Sequence, residues 1–74
     1  MEVKDLFEER LQEFLNPAEF RVFEDGFEIQ FSTKRICIPS GVFLLASVLR
    51  LDIKYIQVPC DSQDFTLITF VRSL

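Results

Sequence analysis

Cys37 and Cys60 are the only soft nucleophiles in the chain. A cysteine–histidine mechanism is closed to them, because the sequence holds no histidine. Arg35 stands two residues before Cys37, a spacing that on a strand puts both on one face, where a guanidinium would lower the thiol pKa. Nothing else converges on either thiol. The plainer reading is one strand residue and one loop residue.

Metal chemistry fares no better. Zinc takes four ligands, usually Cys or His at short spacings. Here two thiols lie 23 positions apart, so only a four-thiolate site bridging two copies could be assembled. Asp61-Ser62-Gln63-Asp64 offers two carboxylates on a short loop, but lacks the acid density and glycine of a calcium loop. It reads as a turn. Glu8 with Glu9, and Asp25 with Glu28, could be imagined as acid–base pairs. Such work needs perturbed groups converging in a cleft, adjacent helical residues such as Glu8 and Glu9 diverge, and a solvated face is the plainer reading. With only Gly26 and Gly41, no glycine-rich phosphate cradle can form. Ser40-Gly41 reads as a simple helix start. Lys34, Arg35, Arg50 and Lys54 form the one basic grouping, near Phe31 and Tyr55. Single-strand nucleic-acid binders set such aromatics in a strongly positive groove. A net charge of −4 argues against that here. No catalytic residue, cofactor-binding residue or metal ligand is expected, and the chain is not read as an enzyme.

The elements that position these residues follow from composition and spacing. The 74 residues are 49 % hydrophobic and include nine phenylalanines. Intrinsic disorder is excluded by that apolar content. Val42 to Leu49 is the longest apolar run, far short of the roughly 20 residues a membrane helix requires. Met1-Glu2-Val3-Lys4-Asp5 carries no basic and apolar leader, so a cytoplasmic location is expected. Two cysteines are too few for a disulfide scaffold. The length suits one domain spanning 1–74.

Apolar residues at Val3, Leu6, Phe7, Leu11, Phe14 and Leu15 line one face of a helix over 3–15. Pro17 stops it, and Asn16-Pro17-Ala18-Glu19 has the grammar of a single capped turn. Phe20 to Glu24 and Phe27 to Ser32 are expected to pair across an Asp25-Gly26 hairpin turn. Phe27, Ile29 and Phe31 should then share the buried face, while Phe23 falls on the wetter face of its strand. Ser32 to Arg35 reads as a second turn, and Arg35 to Ile38 as an optional short strand ended by Pro39. Ser40 is placed to cap a helix from Gly41 to about Arg50 that is apolar nearly all round. Ile53 to Val58 and Phe65 to Arg72 complete the set. The last has apolar residues on both sides, as an interior strand does. The expected fold is α+β, a two-layer domain in the order α-β-β-(β)-α-β-β. Its sheet should be mostly antiparallel, with both helices on one face.

A domain of about 60 residues buries only about 60 % of the surface its unfolded chain exposes. So oily a chain is expected to hide the remainder in a homodimer. The expected interface uses Phe43, Leu44 and Val48 of the second helix, with Phe23. The functional expectation is a non-catalytic protein–protein interaction or regulatory module.

Charge supplies the alternative. Residues 1–30 carry nine acids and three bases, net −6, while residues 31–74 carry three acids and five bases, net +2. Glu8, Glu9 and Glu13 could present a negative stripe to a basic partner. The chain would then act as an acidic inhibitor, mimicking DNA charge toward a nucleic-acid-handling protein.

Overall fold

The computed structural model describes residues 2–35 and 37–72. Two helices, α1 (Val3–Leu11) and α2 (Ser40–Val48), lie on one face of a four-stranded antiparallel sheet. The strands are β1 (Phe20–Asp25), β2 (Glu28–Thr33), β3 (Leu51–Gln57) and β4 (Thr66–Arg72), in the spatial order β1-β2-β4-β3. This is the expected α+β order. The fully apolar-sided last strand is interior, between β2 and β3.

Helix α1 is shorter than the periodicity implied. It ends at Leu11, and i→i−3 bonds from Glu13 and Phe14 tighten the chain toward Pro17. The stripe Val3, Phe7, Leu11, Leu15 still faces the core, while Phe14 stays half exposed. Asn16 caps the next turn as its type dictates: its side-chain oxygen accepts from the Ala18 amide at 2.9 Å, opening a single 3₁₀ turn over Pro17–Glu19.

The hairpin turn sits one residue later than Asp25-Gly26. Asp25 pairs with Glu28, so Gly26 and Phe27 are its two central residues. Gly26 takes φ +64°, and Phe27 keeps a negative φ. That is the type II′ pattern, which needs glycine only at the first position. Phe27 therefore leaves the expected buried face and stands in solvent at the turn, 85 % exposed. Ile29 and Phe31 keep their places, because burying both fixes the register.

Across the sheet, Val22, Phe31 and Ile68 align on the core face, and Ile29 aligns with Phe70. Phe7 descends from α1 between them, edge-on to Phe31 (6.5 Å) and to Phe70 (5.6 Å), with Phe20 stacked on Phe31 at 5.8 Å. Each such fully buried ring contributes about 1.5–3 kcal/mol through its removal from water.

Strand β2 continues through Thr33, whose hydroxyl donates to the Glu19 carbonyl at 2.8 Å and accepts from the Arg35 amide at 3.2 Å. That turn closes the strand. Arg35, Cys37 and Ile38 lie outside any strand, and Ile36 lies outside the described residues, so the optional third strand does not form among the residues described. Ser40 is the first residue of α2 and not its cap. Pro39 occupies the cap position, accepting from the Val42 amide with its carbonyl. The helix stops where Arg50 adopts φ +60°, and β3 begins at Leu51.

Candidate interaction surface

The core layer covers the sheet unevenly. Leu51 is the one buried residue of β3; Ile53 and Ile56 point to the same core side yet are 48 % and 46 % exposed. Their partners Phe70 and Ile68 on β4 are fully buried. The helices thus end before the sheet does. Helix α2 runs beside this uncovered margin. Val42 and Ala46 are buried, Phe43 is half-buried against the core, and Leu44 and Val48 are 67 % and 77 % exposed. A groove of about 610 Å³ follows the junction, lined by Phe43, Ala46, Arg50, Leu51, Ile53 and Phe70. Ser47 and Asp52 line it as well, so polar side chains stand between exposed Leu44 and Val48 on the outer side of α2 and exposed Ile53 and Ile56 on β3.

Of the four residues expected at an interface, Phe43, Leu44 and Val48 lie together on α2, with Phe43 lining the groove. Phe23 lies elsewhere. It is 47 % exposed, but it lies on the opposite, uncovered face of the sheet, in register with Gln30. One contact surface cannot take in both. Ile53 and Ile56 were not anticipated. Their alternation was legible, but nothing in the sequence says which strand will overhang the helix layer.

The uncovered face is polar and apolar in patches. Phe23, Tyr55, Leu67 and Val71 share it with Arg21, Glu28, Gln30 and Ser32. A shallow groove of about 690 Å³ crosses its β1 end over Phe23, Phe65 and Leu67. Lys54 reaches across β4 to Glu28 at 2.6 Å, which pushes the Lys54 ammonium above its ordinary pKa. It also lies 6.0 Å from the Tyr55 ring centre. On the same face of the sheet, Thr69 is fully buried and its hydroxyl has no hydrogen-bond partner among the described residues.

The acidic stripe on α1 is partly neutralised from within. Glu8 pairs with Lys4 at 3.0 Å, which raises the Lys4 pKa, and Glu13 pairs with Arg10 at 3.2 Å. Glu9 is exposed and makes no ion pair among the described residues. The basic grouping is likewise dispersed: Lys34 meets Asp64 at 3.8 Å, Arg35 meets Glu19 at 3.4 Å, and Phe31 is buried.

Both cysteines are exposed and unbonded. Cys60 and Gln63 close a tight turn by reciprocal backbone bonds of 2.8 and 3.0 Å, as the loop composition suggested. The Ser62 hydroxyl lies 3.3 Å from the Cys60 sulfur and, with the Ser62 backbone amide, draws the thiol pKa below its usual value. No cluster of three or more metal-ligating side chains occurs among the described residues. Nor is any described helix long and apolar enough to cross a membrane. No family model, curated protein or solved structure matches the chain.

Proposed function

We propose that this chain is a non-catalytic interaction or regulatory module that works as a homodimer in the cytoplasm. The observation that carries the reading is the set of exposed aliphatics on α2 and on the overhanging margin of β3. Leu44, Val48, Ile53 and Ile56 leave about half to three quarters of their surface in water. Solvent-facing large aliphatics grouped with polar residues at their margin mark contact sites. Covering each returns on the order of 1 kcal/mol. The absence of histidine and the outward divergence of the adjacent Glu8 and Glu9 on α1 support a role without turnover.

The acidic-inhibitor reading ranks second. It draws on the net charge of −4 and on exposed Glu9, but Glu8 and Glu13 already spend their charge on Lys4 and Arg10. Sedimentation across the micromolar range tests the first reading: a reversible monomer–dimer equilibrium is expected. A monodisperse monomer at every concentration rejects it.

A further inference from the structure

We infer that the free edge of β1 pairs with β1 of a second copy, antiparallel and centred on Phe23, so that two sheets run on as one. The inference goes beyond the homodimer reading, because β1 and β3 are opposite edges of the sheet and the contact does not use α2. The two-residue turn makes Asp25–Glu28 a hydrogen-bonded pair, and bonded pairs alternate along an antiparallel ladder. Phe23 and Arg21 therefore bond inward to β2. Phe20, Val22 and Glu24 turn their N–H and C=O groups to the free edge, the usual template for a further strand. A groove of about 320 Å³ between the flank of α1 and residues 20–23 leaves that edge open on the helix side.

The open face of β1 carries the matching chemistry. Arg21, Phe23 and Asp25 alternate along it, all exposed, with a cation two places before the ring and an anion two places after. Neither charge has an ion-pair partner among the described residues. A two-fold axis through Phe23 sets Arg21 against the second copy's Asp25, and Asp25 against the second copy's Arg21. Phe23 meets its own kind at a pair without backbone bonds, where Cα atoms approach to about 4.5 Å and side chains touch. Val22 and Glu24 exchange N–H···O=C bonds with the second copy's Glu24 and Val22.

The ladder between β1 and β2 runs without a bulge, so registers that match faces centre on a residue and not between two. Centring on Arg21, Glu24 or Asp25 sets a charge against itself. Centring on Val22 sets Asp25 toward Glu19, acid against acid, and centring on Phe20 runs off the start of the strand. Only Phe23 matches both charges. Charges on an edge ordinarily keep strands apart; here their spacing makes them partners. Backbone bonds from two residues per strand and exposed ion pairs make a modest contact, so this pairing links dimers at higher protein concentration than α2 and β3 form them.

The test uses a Leu44→Glu background, which removes the α2 contact, at high micromolar to millimolar concentration. Arg21→Asp and Asp25→Arg are changes at exposed positions, circular dichroism verifies the fold, and both chains stay net negative. Each alone is expected to weaken self-association at least tenfold, since like charges then face each other twice. The two mixed in equal amounts should recover it, because every 21–25 pair is again opposite. Isotope-filtered NOE spectra of a mixed-label Leu44→Glu sample should show Phe23 Hα to Phe23 Hα and Arg21 Hα to Asp25 Hα contacts between copies. A mixture no more associated than its components, a Leu44→Glu chain that stays monomeric throughout, or Hα contacts between β3 strands instead, overturns the pairing. The homodimer reading stands or falls separately, on wild-type sedimentation in the micromolar range.

Discussion

Thr69 is the residue where the fold leaves a polar group unserved. Its side chain sits on the sheet face that the helices leave open, yet it is fully buried. A buried hydroxyl without a partner carries a desolvation penalty of about 1–3 kcal/mol. Valine has the same shape, no hydroxyl and a high strand propensity. Thr69→Val is therefore expected to raise unfolding free energy by about 1 kcal/mol in urea titrations; a loss of stability would mean that the hydroxyl is satisfied. Cys60 offers a second residue-scale prediction. Hydrogen bonds from Ser62 favour the thiolate, so the folded protein releases the Cys60 proton below the ordinary value of 9.0. In a Cys37→Ser background, the rate of alkylation by iodoacetamide should rise with pH through a midpoint below 9.0. Ser62→Ala should move that midpoint upward. An unmoved midpoint would assign the shift to the backbone alone.

At the scale of elements, the end of α2 is the strained point. Arg50 holds φ +60°, a conformation that costs a residue with a Cβ about 1–2 kcal/mol. It is forced there because β3 must start at the next residue, with Leu51 buried. Arg50→Gly should stabilise the protein by about 0.5–1 kcal/mol, read as a higher thermal midpoint. Local grammar made several elements legible: the α1 stripe, the Asn16 cap and the alternation in β2 each rest on neighbours close in sequence. The hairpin turn slipped by one residue because Asp25-Gly26 and Gly26-Phe27 both satisfy a glycine-dependent turn, and the burial of Ile29 and Phe31 decided between them. Helix α2 is apolar nearly all round in sequence, and a single copy of the chain covers only part of it. Only Val42 and Ala46 are fully covered, because how far a helix is covered depends on distant strands and not on its own residues. The candidate surface was half legible for the same reason. Leu44 and Val48 declare themselves as apolar residues on an over-apolar helix, whereas Ile53 and Ile56 become available only because β3 outruns the layer above it.

For the whole molecule, that overhang ties stability to association. Anything that binds the folded chain and not the unfolded one raises its apparent stability with concentration. The melting temperature should therefore climb as protein concentration increases through the dimer's dissociation range, and should not do so for Leu44→Glu. A wild-type midpoint indifferent to concentration would detach stability from self-contact.

The strand order has a further consequence, for the time course of biosynthesis. β4, latest of the four strands in sequence, lies between β2 and β3. As the polypeptide leaves the ribosome, β1 and β2 can close their hairpin at once. α2 and β3 emerge next with no ladder to join, since their only bridge to that hairpin has yet to be translated. Cooperative closure must wait for Thr66–Arg72, and until then the chain's greasiest stretch travels uncovered. That interval is when a nascent chain most needs a chaperone's shelter.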